Sequence, residues 1–426
     1  MIKLVILFKL QVCSSLCFVI CLFSCVLLPY EVHAKQSLTI AAIAQNRDVR
    51  ESYYSLARKF ERLNPEVEIK FLMKDDRVFK QELDKLISTP GAVDIVSWHA
   101  GERLDKYVKQ GLVLSITDDW YNNKLSNNFG EAMKKVVSVN QQVYAIPISY
   151  YQWGIYYKKS VFTRLNLSAP RTWLEFEKVL QTLKKNKIMP IFMSSKNIWP
   201  VGNWFEYLNL RINGHQYHQK FVKGLVSAES VEIKKVLGYW KKMIDAEYFM
   251  KEHQNKILAD SYPFIFREQV GMVLSGNFIE TTLPESLKSD VGFFSFPQIN
   301  EQIANILVTP IDIMFIPKSS QQHTLAKQFI LFMADKKNQA IHSENIYQFP
   351  VNVQAEVIYS DLLKEIRFTL ESADGFSRFY DREVEEQYGQ ENMRIWIDFL
   401  DTANIEQTVE RMEAARKRYL LRTKAH

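Results

Sequence analysis

The spacing of apolar and polar positions switches repeatedly between a strand period and a helix period near the N-terminal end of the chain. Short β-prone runs alternate with stretches in which apolar residues recur at helical spacing, and turn residues end those stretches. The resulting order is strand 37–44, helix 49–63, strand 67–72, helix 77–87 and strand 93–98. Strands that alternate with helices predict an α/β fold built on a parallel sheet.

The middle of the chain contains an aromatic-rich stretch at 143–157 that is β-prone throughout. Pro147 within it cannot donate a backbone hydrogen bond, so we do not expect it at a central position of a sheet. Thr172 and Glu175 have the spacing of a capping box and predict the start of a helix. The segment 197–205 mixes aromatic and turn residues, which predicts a loop. Further strands are predicted at 190–194, 270–275, 291–297 and 311–317, followed by a mainly helical C-terminal part.

Two segments that directly follow predicted strands are candidates for ligand binding. They are 44–47 after the first strand and 98–101 after the third. Ligands of open α/β sheets bind outside the carboxyl ends of the strands, where such segments meet. Trp98 is therefore a candidate ligand-binding residue, although a buried tryptophan that packs against a helix is an equal alternative.

Residues 1–34 have the order of a secretory signal peptide. Lys3 and Lys9 precede a long apolar run, and Ala34 completes a small-residue sequence that is typical of a cleavage site. An uncleaved membrane anchor is the alternative, because the apolar run approaches the roughly 20 residues that a spanning helix needs. We expect an exported protein whose working fold begins at Lys35.

All four cysteines of the chain lie in this first segment, at Cys13, Cys17, Cys21 and Cys25. The chain from residue 35 onward therefore has no disulfide, no cysteine metal site and no thiol nucleophile. The sequence before Cys25 vaguely resembles a lipoprotein signal, in which that cysteine is lipidated. Phe23 fits the lipoprotein pattern poorly, so a lipid anchor at Cys25 is the less favoured alternative.

Charge and motifs exclude several classes of function. A net charge of +6 over 426 residues argues against a polyanionic partner such as nucleic acid. The sequence has no H-E-x-x-H, no G-x-S-x-G, no P-loop and no G-x-G-x-x-G after a strand, so it predicts neither an enzyme nor a cofactor site. His215 and His218 could form a metal pair at i, i+3. Without a third ligand at matching spacing, we expect a solvent-exposed pair and no metal.

Acidic pairs keep a hydrolase open as an alternative. Candidate carboxylates lie at 75–76, 118–119 and 381–383. A glycosidase needs two carboxyl groups about 5–10 Å apart across a cleft. Acids in turns and at helix starts are the ordinary explanation, so a secreted glycosidase is the less favoured, enzymatic alternative.

Aromatic residues in predicted loops carry the clearest functional signal. They are Tyr150, Tyr151, Trp153, Trp199, Trp204 and Phe278. A sugar has an apolar face of C–H groups and a rim of hydroxyls, so its site needs flat aromatic surfaces and planar polar side chains. Polar neighbours of this kind are Asn46, Arg47, Gln152, Asn203, Asn277 and Asn352. We expect about half of the aromatic side chains to fill the core instead.

A series of short motifs, in order along the chain, extends this interpretation. They lie at 60–65 (FERLNP), 93–98 (VDIVSW), 111–117 (GLVLSIT), 144–147 (YAIP), 154–158 (GIYYK), 170–176 (PRTWLEF) and 271–276 (GMVLSG). Together they resemble the extracellular solute-binding proteins of bacterial ABC transporters, in the branch that includes maltose- and other sugar-binding proteins. Two further motifs, at 199–211 and 379–382, resemble a subgroup of that branch.

The resemblance implies a type II periplasmic-binding-protein-like fold, with two α/β lobes and a hinge between them that closes on one sugar. It implies an N-terminal lobe of 35–146 plus about 308–345, and a C-terminal lobe of about 147–307 plus 346–426. The chain would cross between the lobes near 145–147, near 308–311 and after about Ser343.

The resemblance also implies a set of ligand-binding residues. They are Asn46, Arg47, Trp98, Tyr151, Trp153, Trp199, Trp204, Asn277, Phe278 and Asn352, with Arg378 and Asp381 as further possibilities. The chain departs from the family pattern at 44–46, where many relatives have a tryptophan, and at His99. Both departures leave the particular sugar open.

By the same resemblance we expect a monomeric periplasmic protein without cofactor or enzymatic activity, which delivers its sugar to permease subunits in the inner membrane. Another solute in the same fold is one alternative, such as an oligosaccharide, a polyol phosphate or an amine. An amine would require carboxylates in the cleft. Service to a chemoreceptor or a sensor kinase is a further alternative.

Overall fold

The structure is a computed structural model that describes residues 35–44 and 46–424. The predicted signal peptide, residues 1–34 with all four cysteines, lies outside the described residues. The strands are β1 (Gln36–Ile43), β2 (Val67–Lys74), β3 (Ile95–His99), β4 (Ser138–Val139), β5 (Gln142–Val143), β6 (Ala145–Tyr150), β7 (Trp153–Lys158), β8 (Met189–Phe192), β9 (Val270–Gly276), β10 (Val291–Phe294), β11 (Ile306–Val308), β12 (Ile311–Phe315), β13 (Phe349–Pro350) and β14 (Gly375–Ser377).

Helices connect and cover these strands. They are α1 (Arg47–Leu63), α2 (Asp76–Ser88), α3 (Glu102–Lys109), α4 (Thr117–Asn122), α5 (Ser126–Val136), α6 (Lys159–Arg164), α7 (Trp173–Lys185), α8 (Pro200–Val222), α9 (Val231–Asp245), α10 (Ser261–Phe266), α11 (Glu285–Lys288), α12 (His323–Ala334), α13 (Lys336–Ile346), α14 (Asp361–Glu371), α15 (Tyr380–Glu383), α16 (Glu386–Thr402) and α17 (Ile405–Lys424). None of these described helices has both the length and the apolar composition needed to cross a membrane.

Six strands form the first sheet, in the order β13-β6-β12-β3-β1-β2. β1 pairs in parallel with β2 and β3, as the alternating strand and helix pattern predicts. β12 comes from far along the chain and pairs antiparallel with β3 and β6. Tyr53, Leu56 and Phe60 of α1 face the hydrophobic core on this sheet. The parallel part of the sheet therefore follows from local sequence patterns, whereas the antiparallel part does not.

A second sheet has four strands, in the order β10-β7-β9-β8. β7 pairs antiparallel with β9 and β10, and β8 pairs in parallel with β9. α7 begins at the predicted capping box, in which Thr172 accepts from the amide of Glu175 and the Glu175 side chain accepts from the amide of Thr172. The apolar side of α7 joins a core that is rich in aromatic side chains.

Two hydrophobic cores divide the described chain into two units, which we call the N-terminal lobe and the C-terminal lobe. The N-terminal core takes residues from 38–148 and 311–351, and the C-terminal core from 151–308 and 362–415 together with Phe349. Residues up to Val351 contribute to the N-terminal core, since α13 packs on α1, where His342 and Ser52 share a hydrogen bond of 2.8 Å. The chain leaves this core for the last time beyond that point.

Pro147 lies in β6, which has a strand on either side, contrary to the expectation from its missing amide. β13 reaches only Ser149 and Tyr150, so it makes no pairs at Pro147. On the other side, Pro147 pairs with Ile313 beside an irregularity in the register of β12. The proline is tolerated because local pairing is incomplete at its position.

The segment 197–205 is also not the predicted loop, since α8 begins at Pro200. Proline is favourable in the first turn of a helix because its missing amide would have no partner there. α8 is buried on nearly all sides between 200 and 212. A helix that is buried all round shows no amphipathic period, which explains why the sequence pattern did not reveal it.

His218 is fully buried on α8, so the pair with His215 is not solvent-exposed as predicted. Its Nδ1 lies 3.0 Å from Nδ2 of Asn209 within the same helix. Within residues 35–44 and 46–424, no three His, Cys, Asp or Glu side chains come together as a metal-binding group.

Candidate functional site

A cavity of about 250 Å³ lies between the two lobes. From the N-terminal lobe it is lined by Asn46, Tyr53, Lys80, Trp98, His99 and Asp312, among others. From the C-terminal lobe it is lined by Tyr151, Trp153, Trp199, Phe278, Phe379 and Arg382, among others. The lining combines aromatic rings, charged groups and amide or hydroxyl groups.

The carboxyl ends of β1 and β3 place the N-terminal lobe's contribution. Asn46 follows β1 as the N-cap of α1, where its Oδ1 accepts from the amide of Val49 at 3.1 Å. Trp98 and His99 end β3, and their rings stack at a centroid distance of 4.9 Å. Asp312 pairs with His99 in the antiparallel ladder between β12 and β3. The site thus forms where the ends of these strands meet, as expected for an open α/β sheet.

Trp153 is the centre of an aromatic wall in the C-terminal lobe. Its ring stacks on Phe379 at 5.0 Å and meets Trp199 and Phe278 edge-on at 5.6 Å and 5.8 Å. Among the described residues, its buried Nε1 has no hydrogen-bond partner. The wall therefore combines stacked and edge-on rings around an indole N–H that is not used within the described part of the protein.

Asp312, His99 and Arg382 form a buried charged group in the cavity. The Asp312 Oδ1 lies 2.9 Å from Nδ1 of His99 and 3.2 Å from Nη1 of Arg382. Arg382 Nη2 also donates to the hydroxyl of Tyr151 at 2.6 Å. Burial and the charge of Arg382 lower the pKa of His99. His99 is therefore neutral near pH 7, and its Nδ1–H donates to the carboxylate.

The charge on Asp312 is stable in this environment. Burial alone would raise the pKa of Asp312, but the hydrogen bond from His99 and the charge of Arg382 outweigh burial and hold that pKa below its ordinary value. Asp312 is thus an ionised carboxylate that is paired inside the protein.

A second set of charges lies beside the first. Asp381 Oδ2 is 3.7 Å from Nζ of Lys80 and 3.6 Å from Nη2 of Arg103. Lys80 Nζ is also 3.0 Å from Oδ1 of Asp76. Asp76, Asp312 and Asp381 are therefore matched by Lys80, Arg103 and Arg382, and the charges at the cavity compensate one another.

Direct contacts join the lobes around the cavity. Asn46 Nδ2 donates to Oγ1 of Thr281 at 2.8 Å. Arg103 Nε donates to the carbonyl oxygen of Asp381 at 2.9 Å, and its Nη1 lies 2.9 Å from Oε1 of Glu386. The structure therefore has the two lobes in contact, with the cavity between them.

Most of the residues predicted to bind ligand line this cavity. They are Asn46, Trp98, Tyr151, Trp153, Trp199, Phe278 and Asp381. The others do not line it, and they are Arg47, Trp204, Asn277, Asn352 and Arg378.

Trp204, Asn277 and Asn352 are buried where they support the fold. Trp204 lies on α8, and its ring packs against Phe249 at 5.0 Å in the C-terminal core. Asn277 accepts from the amide of Gln152 at 2.7 Å and donates to the carbonyl oxygen of Tyr347. Asn352 donates to the carbonyl oxygen of Ala334 at 2.9 Å. The side chains of both asparagines are hydrogen-bonded within the protein and the Trp204 ring is packed in the core, so we leave all three out of the proposed site.

Arg47 and Arg378 point elsewhere. Arg47 is exposed at the start of α1. Arg378 pairs with Glu383 at 3.0 Å and lines a separate, more open groove between the lobes. Neither residue joins the proposed site.

Several cavity residues escaped the sequence analysis. Phe379 and Arg382 lie in the motif 379–382, which was therefore an available signal. Asp312 carried no such signal, because its partner His99 is 213 residues away along the chain.

Comparisons with known proteins agree with this architecture. The family model described as bacterial extracellular solute-binding protein matches residues 44–340. An uncharacterized ABC transporter extracellular-binding protein of Pyrococcus horikoshii is 26% identical over 291 residues, which are 67% of this chain and 64% of that protein. The multiple sugar-binding protein of Streptococcus mutans is 22% identical over 277 residues, which are 62% of this chain and 63% of that protein. Both matches thus span less than two thirds of the relatives' own length.

Among solved structures, the bacterial solute receptor AcbH, which prefers β-D-galactopyranose exclusively, matches with a TM-score of 0.85 and 22% identity. The match covers 90% of this chain and 98% of AcbH. This likeness establishes the fold. The family match covers well over half of the chain, and the chain therefore belongs to the bacterial extracellular solute-binding proteins.

Proposed function

We propose that this protein binds a neutral, sugar-like solute in the interlobe cavity and delivers it to the permease of an ABC importer. The observation that carries this proposal is an aromatic wall that faces buried charges which are already paired. A charged solute would need an uncompensated opposite charge in the site, whereas Asp76, Asp312 and Asp381 each have a cation within 4 Å. This argues against the amine and phosphate alternatives.

The size of the cavity supports a small ligand. Its volume of about 250 Å³ lies just below the roughly 300–1,000 Å³ that is typical of small-molecule pockets. That volume suits one sugar ring with its hydroxyls better than a chain of several rings. The exclusive preference of AcbH for β-D-galactopyranose, a single ring, agrees with this size.

Each part of the lining has a role in this proposal. Trp153, Trp199 and Phe379 would pack on the apolar face of the ring. Asp312 and Arg382 would bond the hydroxyl rim, because a carboxylate accepts and a guanidinium donates. The side-chain hydrogen bonds that Asp312 accepts from His99 and Arg382 both end on Oδ1, which supports a role for Oδ2 as an acceptor toward the ligand.

The cavity chemistry does not favour the glycosidase alternative. A general acid in a glycosidase needs a raised pKa so that it is protonated near neutral pH. Burial would raise the pKa of Asp381, but Lys80 and Arg103 outweigh burial and lower it. The pKa of Asp312 is likewise lowered, by His99 and Arg382. Neither carboxyl group is therefore set up to donate a proton.

The remaining parts of the proposal rest on the sequence. Residues 1–34 would export the protein to the periplasm, where it would work as a monomer. Lipid attachment at Cys25 and service to a chemoreceptor or sensor kinase are alternatives. Mass spectrometry of the mature N-terminus decides whether the first described residue, Lys35, begins the chain.

A thermal-shift screen over a sugar library tests the central proposal. A ligand that binds only the folded protein stabilises it by about 2.7 kcal/mol at one hundred times its Kd. We expect a rise of several degrees in Tm with at least one neutral monosaccharide, with D-galactose as the first candidate. A rise only with amines or sugar phosphates would contradict the neutral-solute proposal. Release of product from a disaccharide would instead support the glycosidase.

A further inference from the structure

The segment 377–382 carries three side chains to the cavity, namely Phe379, Asp381 and Arg382. It runs from the end of β14 into α15, which has only four residues. A helix of one turn does not hold its own direction, because nucleation is unfavourable and few hydrogen bonds form. The orientation of these side chains must therefore be fixed from outside the segment.

The start of α15 lacks an ordinary cap. Phe379 is its N-cap residue and makes no side-chain cap hydrogen bond. Its ring instead stacks on Trp153. The amide of Tyr380, the first residue of α15, is one of the donors that a helix start leaves unpaired, because an N-cap side chain bonds the second or third helical amide. This amide therefore needs an acceptor from another element.

Glu206 of α8 supplies that acceptor. Its Oε2 accepts from the amide of Tyr380 at 2.9 Å, and its Oε1 lies 3.5 Å from Oγ of Ser377. Glu206 thus contacts the Ser377 hydroxyl before Phe379 and the Tyr380 amide after it. The side chain of Glu206 is fully buried.

Burying a carboxyl group costs free energy unless it is hydrogen-bonded. Burial raises the pKa of Glu206 well above its ordinary value, in line with that cost. His218 Nε2 lies 3.5 Å from Oε1 of Glu206. The shortest of its contacts is the one to Tyr380, so the main bond of this carboxyl is to the segment that lines the cavity.

We infer that Glu206 is a positioning residue of the binding cavity: it binds the first amide of α15 from outside the segment and thereby holds Phe379 on Trp153 and Arg382 beside Asp312. The inference rests on the proposed function only in taking this cavity as the solute site. Glu206 does not itself line the cavity, so its role is to orient side chains that do.

Hydrogen exchange of the full-length folded protein without sugar tests the inference. In Glu206→Leu we expect the Tyr380 amide to exchange roughly tenfold faster or more, since its hydrogen bond is lost. In Glu206→Gln, which keeps an acceptor oxygen, exchange should stay within about threefold of the wild type. Leu208→Ala, a fully buried neighbour on α8, is the matched control for general destabilisation.

The indole N–H resonance of Trp153 provides a second readout, assigned by its loss in Trp153→Phe. Phe379→Ala removes the stacked ring and defines the resonance position without it. Glu206→Leu should shift the resonance toward that position, whereas Glu206→Gln and Leu208→Ala should not. If Glu206→Leu does not fold, Glu206→Asp decides, because its shorter carboxyl group cannot reach the Tyr380 amide.

Wild-type protection of Tyr380 in the Leu or Asp variant would overturn the inference, and so would equal loss of protection in Leu208→Ala. Neither readout needs a bound sugar. A failed sugar screen would therefore contradict the proposed function while leaving this inference to be judged on its own result.

Discussion

Arg382 of the C-terminal lobe donates from Nη1 to Oδ1 of Asp312 in the N-terminal lobe, across 3.2 Å. The same carboxylate oxygen lies 2.9 Å from Nδ1 of His99. The arginine therefore neutralises a buried carboxylate of the opposite lobe. It also places a positive charge close to an imidazole that would otherwise protonate more easily.

Removing this arginine should raise the pKa of His99. In the wild type, burial and the charge of Arg382 both lower that pKa. Arg382→Gln removes the second cause and leaves Asp312 as a nearby unpaired negative charge, so both changes favour the imidazolium form. NMR titration of the His99 ring measures the shift.

Arg378→Gln is the matched control for this titration. Arg378 lies in the same segment, but it pairs with Glu383 and lines another groove. We expect the pKa of His99 to stay at its wild-type value in this variant. An equal shift in both variants would mean that His99 responds to net charge and not to its contact with Arg382.

Two tryptophans of the C-terminal lobe should separate binding from stability. Trp199 lines the cavity and is partly exposed, so Trp199→Ala should weaken sugar affinity about tenfold or more with a small change in unfolding free energy. Trp204 is buried against Phe249 and Phe296. Trp204→Ala should therefore cost about 3–5 kcal/mol of stability.

Calorimetry with the sugar found in the screen, together with urea unfolding, measures both quantities. The residual affinity of folded Trp204→Ala should stay near the wild-type value. If the Trp204→Ala protein remained stable but did not bind the sugar, Trp204 would have to be counted among the ligand-binding residues.

The two tryptophans also show how far the sequence leads. β1, β2 and β3 with their helices could be predicted because periodicity is a local property, and the strand-end rule then located Asn46 and Trp98. α8 could not be predicted, because a helix buried all round has no amphipathic period. Trp204 was therefore placed in a loop and assigned to the ligand.

Part of the charged lining was missed for a different reason: Asp381 was among the predicted residues, but Asp312 and Arg382 were not. Asp312 reaches His99 only because β12 inserts between β3 and β6, and such long-range antiparallel pairing leaves no local signal. Arg382 has no local signal beyond its motif, since its role depends on the partner that the fold supplies.

His218 should make stability depend on pH. Burial lowers its pKa to about 4, below the roughly 6.5 of an unfolded histidine. A depressed histidine pKa favours the folded state above pH 6.5, and this contribution is lost as the pH falls toward 4. His218→Gln removes the contribution, so the free-energy difference between wild type and variant should shrink by about 1–3 kcal/mol between pH 7 and pH 4.5.

Urea unfolding of both proteins across this range measures the difference. Using the difference cancels titrating groups that do not contact His218, such as Glu280, whose pKa burial raises to about 6. A constant difference would show that His218 titrates alike in the folded and unfolded states.

Gly101 should control how closely the lobes approach. It follows β3 with φ of 95°, and a Cβ at this position would lie 2.6 Å from the carbonyl oxygen of Arg382 in the other lobe. Gly101→Ala should therefore keep the lobes apart and weaken sugar binding, because Arg382 and the aromatic wall of the C-terminal lobe cannot reach their positions beside Asp312. Small-angle scattering with saturating sugar should then give a larger radius of gyration than for the wild type.

Gly111→Ala separates this contact from backbone strain. Gly111 also has positive φ, at 72°, but a Cβ there would meet nothing within 4 Å. The Gly111→Ala protein should be somewhat less stable, because a non-glycine residue at positive φ is strained. Its lobes should still close on sugar like those of the wild type. If Gly101→Ala closed equally well, the 2.6 Å contact would be relieved by a local shift, and the approach of Arg382 to Asp312 would not depend on glycine at this turn.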